Sequence, residues 1–163
     1  MKKTNEKKQY HPVVSLIDEL IRVNSRLRTV FAGATEASGL SSMQLTVLTA
    51  VVEAQTPPTV PQIGRSLGHP RQVIQRAASL LLEAELIENA DNPHHKRAPL
   101  LIATESGKKI KLKADKQALA AAEDFLKLIG ADACETLTGE LRDLRSKIET
   151  YTKTRKGKHG AKT

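Results

Sequence analysis

"TVPQIGRSLGHPRQVIQRAASLLLEAELI", residues 59–87, contains two helix signals separated by a joint too short for anything but a helix-turn-helix. Thr59 suits the cap of a short helix over "VPQIGRSL", and Pro61 falls in its first turn, where a missing N–H costs little. Gly68 stops that helix. Only His69 intervenes before Pro70 opens the next one, which runs to about Glu83. The second helix is polar at its start, with Arg71, Gln72, Gln75 and Arg76 in two turns, and apolar at its end, with Leu80, Leu81 and Leu82. A recognition helix enters the major groove with its N-terminal turns and packs on its own domain with the later ones, so this asymmetry has a purpose. Arg71 and Arg76 have the fork geometry for guanine edges or phosphate, and Gln72 and Gln75 pair with adenine or phosphate. Taken alone, such a face is as readily a solvated surface, and its position after a tight turn argues for DNA.

Upstream, apolar residues at 13, 16, 17, 20, 23, 27, 30 and 31 follow one helical face and predict a long helix from Val13 to about Phe31. "SGLSS" breaks the pattern, and Ser41 or Ser42 caps a further helix whose Leu45, Leu48, Val51 and Val52 point inward. The two prolines of "QTPPT" end it. Downstream, "LIENA" and "PLLIA" flank "DNPHHKR", where Asp91, Asn92 and Pro93 favour a turn. That is a β-hairpin with a basic tip carrying His95, Lys96 and Arg97. Thr104 caps a long helix that begins at "ESGKK" and ends at Gly130. In the last helix, Leu137, Leu141, Leu144, Ile148 and Tyr151 alternate steps of four and three, the seam of a coiled-coil-like contact. We read Leu16 and Leu20 of the first helix, with Leu137, Leu141, Leu144 and Ile148 of the last, as a dimerisation layer. Packing within one chain is the alternative.

The expected fold is therefore mainly α: a winged helix-turn-helix with a two-stranded wing, flanked by N- and C-terminal dimerisation helices. The segments are a basic flexible arm at 1–12, a dimerisation helix at 13–40, the DNA-binding domain at 41–104, two dimerisation helices at 105–152 and a basic flexible tail at 153–163.

Composition agrees with this. The chain has 163 residues and four aromatics, Tyr10, Phe31, Phe125 and Tyr151, so its core must come from Leu, Ile, Val and Ala, which favours helices over a large β-sandwich. The formal charge of +8 comes wholly from the ends: Lys2, Lys3, Lys7 and Lys8 against Glu6, and Lys153, Arg155, Lys156, Lys158 and Lys162 with no acid. Residues 12–152 are neutral, with 17 basic and 17 acidic groups, so a DNA face there must arise by local segregation. The ends either remain solvated or add salt-sensitive attraction to phosphate. No apolar run is long enough for a bilayer or a signal-peptide core, and a cytoplasmic location is expected. Cys134 is the sole cysteine, so no internal disulfide forms.

The stretch 40–109 carries "LSSMQLTVL", "TVPQIGRSLG", the recognition helix and "LIENADNPHHKRAPLLIATESG" in that order. It resembles the MarR (multiple antibiotic resistance regulator) family of prokaryotic transcription factors. The resemblance implies a homodimeric regulator, typically a repressor on a pseudo-palindromic operator, with recognition helices in successive major grooves and wing tips in neighbouring minor grooves. It also implies a small-molecule effector, often aromatic or anionic. With so few rings to stack against, a weak response or none to salicylate-like phenols is expected. By position Arg97 matches the family's wing arginine, which a narrow minor groove favours electrostatically, with Lys96 at phosphate. Thr59, Arg65 and His69 are the candidate phosphate contacts of the scaffold. Three residues depart from the pattern: His95 replaces an aspartate that braces the wing, Glu85 a glycine that ends the recognition helix, and Ala103 a leucine before Thr104.

Other chemistries are poorly represented. His94 and His95 are adjacent on a turn and, with His69 or His11, lack a cysteine or carboxylate at zinc-like spacing, so no metal or other cofactor is expected. No glycine-rich phosphate loop or Ser/His/Asp arrangement suggests an enzyme. Cys134 has no nearby basic residue to activate it as a peroxide sensor. The competing reading is an architectural or plasmid-type winged-helix protein that binds DNA without responding to a ligand.

Overall fold

The computed structural model describes residues 11–93, 95 and 97–159, the side chains of 156–159 excepted. His94, Lys96, the arm lysines Lys2, Lys3, Lys7 and Lys8, and Lys162 lie outside the described residues. The elements are α1 (Pro12–Val30), α2 (Ala32–Ser38), α3 (Ser42–Val52), α4 (Val60–Leu67), α5 (Arg71–Glu83), β1 (Ile87–Ala90), β2 (Leu100–Ala103), α6 (Glu105–Ile129) and α7 (Ala131–His159). The chain divides into two compact units, residues 1–121 and 122–163.

Local chemistry sets the boundaries. Ser41 and Thr59 each open a helix by a reciprocal capping box. Thr59 Oγ1 accepts from the Gln62 N–H at 3.4 Å, while Gln62 Oε1 accepts from the Thr59 N–H at 2.7 Å. Ser41 and Gln44 repeat the arrangement. Gly68 takes the left-handed conformation, φ 69°, that ends α4, and Gly130 does the same for α6 with φ 80°. Pro70 stands just ahead of α5 as its N-cap, one position before the helix proper.

The core belongs to the first unit and contains no aromatic ring. Val47, Leu48 and Val51 of α3 meet Ile63 of α4, Ile74, Ala77, Ala78 and Leu81 of α5, and Leu86, Ile87, Leu101 and Ala103 around the hairpin. Each fully buried leucine or isoleucine contributes roughly 1.5–3 kcal/mol, and the two alanines admit close approach of α5 to its neighbours. β1 and β2 pair antiparallel with Ile87 opposite Ala103 and Ala90 opposite Leu100. The hairpin is tied to the scaffold by the Leu101 N–H, which donates to the Pro58 carbonyl at 2.8 Å.

The junction of α5, β1 and α6 is closed by backbone hydrogen bonds and by a close approach at Gly107. The Leu86 N–H donates to Leu81 O at 2.9 Å and the Glu85 N–H to Leu82 O at 3.0 Å, a Schellman closure of α5. Its left-handed position is held by Glu85, φ 54°, the only non-glycine residue with positive φ among those described. The departure from glycine noted in the sequence thus falls where a side chain is strained. Thr104 Oγ1 donates to Glu85 O at 2.8 Å and accepts from the Gly107 N–H at 3.1 Å, capping α6 as expected. A Cβ on Gly107 would run into the Leu86 carbonyl oxygen and lie 3.2 Å from Leu48 Cδ1.

Behind this junction Lys111 is 7% exposed and forms ion pairs with Asp115 at 2.6 Å and with Glu53, at the end of α3, at 2.9 Å. Burial alone lowers its pKa, but hydrogen bonds to the two carboxylates and their charges together carry it above the ordinary lysine value. The ammonium stays charged and clamps α6 to α3.

Two expectations need correction. The helix read from the apolar spacing, Val13 to about Phe31, is α1, but the dimerisation segment to residue 40 is not one helix: Phe31, at φ -97° and ψ 15°, ends α1, and the separate α2 follows it. At the other end α7 continues to His159, so residues 153–159 are helical where a flexible tail was expected; Lys and Arg are good helix formers and no proline intervenes.

Two stability measurements on the full chain, at fixed protein concentration, check the junction. Glu85→Gly should raise the urea-unfolding free energy by about 0.5–1 kcal/mol through relief of the positive-φ strain, and a decrease would contradict that strain. Gly107→Ala should cost about 3 kcal/mol or more, because the obstacle is backbone. An unchanged midpoint would show that α6 does not press on Leu86.

Candidate nucleic-acid interface

Helical geometry separates α5 into two faces. Ile74, Ala77, Ala78 and Leu81 are buried, all at 4% exposure or less, and successive residues advance by about 100° around the axis. Arg71, Gln72, Gln75 and Arg76 are consequently exposed, as the polar start of the helix predicted. The turn before them is compact. The His69 N–H donates to Gly64 O at 3.0 Å, and a Cβ on Gly64 would stand 3.1 Å from the His69 carbonyl oxygen. Arg65, near the end of α4, and His69 in the turn are both exposed, so α4, turn and α5 present them in one continuous segment with the four α5 residues.

Thr59 does not join them. It is 7% exposed and its hydroxyl serves the capping box with Gln62, so a buried cap replaces the expected phosphate contact.

Charge is segregated as the neutral body required. Between Glu53 and Glu83 the sequence holds Arg65, Arg71 and Arg76 and no acidic residue. That acid-free run of chain was available to sequence reading and marks the face more clearly than the overall charge. Glu53, at its upstream limit, is neutralised by Lys111. Arg22 and Arg145 have carboxylate partners within their own helices, whereas Arg65, Arg71, Arg76 and Arg97 make no ion pair among the described residues. An uncommitted guanidinium at the front of a helix keeps its donors for a ligand.

The wing is braced by a residue that the sequence marked only as a turn former. Asn92 Nδ2 donates to Ala98 O at 2.8 Å across the loop, and Asn92 Oδ1 accepts from the His95 N–H at 3.2 Å. The Ala98 N–H in turn donates to His95 O at 2.9 Å. Asn92 thus takes the bracing role left open by His95, whose ring is exposed together with the Arg97 side chain.

Four of the six candidate dimerisation residues are exposed and two are half-buried. α1 has no buried residue; Leu16 is 43% exposed and Leu20 half-buried. On α7, Leu137, Leu141 and Ile148 are 51%, 48% and 52% exposed and Leu144 is half-buried. Cys134 is half-buried with a free thiol. Among the described residues no group of three or more His, Cys, Asp or Glu is placed to hold a metal ion, and no helix is long and apolar enough to cross a membrane.

Comparison with known proteins places this geometry. The MarR family model matches residues 38–98. An uncharacterized protein of Mycobacterium tuberculosis strain H37Rv is 46% identical over 52 residues, and the chain spans just over a third of that relative's length: 36%, against 32% of this chain. A MarR-family transcriptional regulator from Rhodococcus sp. RHA1 superposes with a TM-score of 0.67 at 21% identity, over 85% of this chain and 94% of its own. The PcaV transcriptional regulator from Streptomyces coelicolor, solved with its natural ligand, gives 0.66 at 23% identity over 83% and 92%. The fold is that of MarR-type winged-helix regulators.

Arg76→Ala should leave the unfolding midpoint within error and lower affinity for a selected duplex by about 1–3 kcal/mol, with relaxed preference at one base pair per half-site. Unchanged affinity and preference in a binding titration would remove Arg76 from the interface.

Proposed function

We propose that this chain, of the MarR family in its residues 38–98, is a sequence-specific double-stranded-DNA-binding transcriptional regulator that acts as a homodimeric repressor. The observation that carries this reading is the front of α5, where Arg71, Gln72, Gln75 and Arg76 stand exposed while the opposite face is locked in the core. Arg71 and Arg76 supply planar forks for guanine edges or phosphate, and the glutamines suit adenine. Arg65 and His69 position the segment at the backbone, which fixes register without reading sequence. Arg97, presented on a loop tied by Asn92, reaches an adjacent minor groove, with His95 on the same loop, and Lys96, its neighbour in sequence, is assigned to phosphate.

A single helix-turn-helix buries too little surface for tight specific binding, and pairing two half-sites multiplies the contact. We assign that pairing to the apolar residues Leu16 and Leu20 of α1 and Leu137, Leu141, Leu144 and Ile148 of α7. Exposed leucines at helical spacing cost solubility unless a second copy covers them. Control by a small molecule is the more general part of the proposal. The Streptomyces regulator was solved with its natural ligand, and a comparable effector here would act by changing the spacing of the two recognition helices.

In vitro selection of bound duplexes followed by footprinting should yield a pseudo-palindrome with half-sites about one helical turn apart. Failure to enrich any sequence would leave only non-specific attraction to phosphate. Leu137→Asp combined with Leu141→Asp, both at exposed positions, should convert the dimer to a folded monomer in sedimentation and abolish tight binding. A monomer that still protects both half-sites would refute the pairing surface.

A further inference from the structure

One exposed residue of α5 does not fit a polar front. Val73 is 39% exposed in the first turn, between Gln72 and the buried Ile74. It lies about 60° around the helix from Arg76, three residues on, so the two side chains are surface neighbours. A β-branched residue at a solvent-facing helix position sacrifices helix propensity and leaves two methyl groups in water. Leu80 occupies the same edge at 41% exposure, but it is seven residues, roughly 10 Å, further from the front of the helix.

We propose that Val73 is a specificity-determining residue that reads the C5-methyl group of a thymine beside the base contacted by Arg76. This rests on the DNA-binding reading of α5 above. Thymine carries the one apolar group on the major-groove edges of the four bases, and an apolar side chain is the complement that distinguishes it. Valine suits the task because its χ1 is stiff: the methyl groups are already in place and little rotamer freedom is lost on contact. The polar neighbours make hydrogen bonds to base edges or phosphates, so without Val73 the front of the helix would have nothing to tell thymine from cytosine by its methyl group. The half-site is therefore expected to contain thymine next to the guanine read by Arg76.

The test uses the full chain and a duplex recovered by in vitro selection, in which each thymine of the half-site is replaced in turn by deoxyuridine. That change removes one methyl group and preserves base pairing. Wild type should lose about fourfold in affinity at one position per half-site, the worth of one methyl group in apolar contact. Val73→Ala, a change at an exposed helical site, should still bind and should bind the thymine and deoxyuridine duplexes equally. Wild type indifferent to every replacement, a selected half-site with no thymine, or Val73→Ala retaining the full thymine preference would overturn the proposal while leaving the DNA reading intact. Complete loss of binding by a folded Val73→Ala would also contradict it, since two methyl groups cannot account for so much. If wild type selects no duplex at all, the DNA reading fails first and this inference falls with it.

Discussion

Everything proposed for this protein depends on the burial of one face of α5. Ile74, Ala77, Ala78 and Leu81 are held by α3, α4 and the start of the hairpin, and a helix fixed on one side has no freedom to choose what it shows on the other. Replace that anchor by a loosely packed helix and the same arginines and glutamines would be an ordinary solvated surface. The capping boxes, the Gly64 approach to the His69 carbonyl and the Gly107 contact with Leu86 all act on the same point, since each fixes an element that grips α5 or leads into it. The side chains that meet a ligand are few, and the larger part of the structure serves to aim them.

Much of the architecture was legible because its signals are local. Thr59, Ser41, Gly68 and Gly130 specify helix ends through their own backbone and side-chain preferences, and the structure places each where those preferences point. The hairpin was visible in the alternation of short apolar stretches with turn formers. What escaped sequence reading depends on contacts between distant residues. Nothing within "ESGKK" reveals that the Leu86 carbonyl lies where a side chain of residue 107 would be, and nothing in "DNPHH" says that the Asn92 amide will reach Ala98. The short helix α2 was missed because its seven residues carry no large apolar side chain to set a period.

The candidate interface divides in the same way. The exposure of Arg71, Gln72, Gln75 and Arg76 follows from helical phase, which is a sequence property, and it was read correctly. The assignment of Thr59 was not, because a hydroxyl next to a helix start has two possible uses and only the fold shows that the cap consumes it. The acid-free interval from residue 54 to 82 was present in the sequence but is diluted when charge is counted over the whole body. For α1 and α7 the apolar period was legible, and Leu16, Leu137 and Leu141 stand exposed along it.

The central claim is that the N-terminal turns of α5 lie against base edges in the major groove. Methylation interference reads that contact directly, because dimethyl sulfate places a methyl group on guanine N7 in the major groove and on adenine N3 in the minor groove. The account predicts that premethylation of guanine N7 blocks binding within each half-site, in two clusters about 10 base pairs apart. Binding that tolerates every N7 methyl group, or that is blocked only at adenine N3, would contradict it.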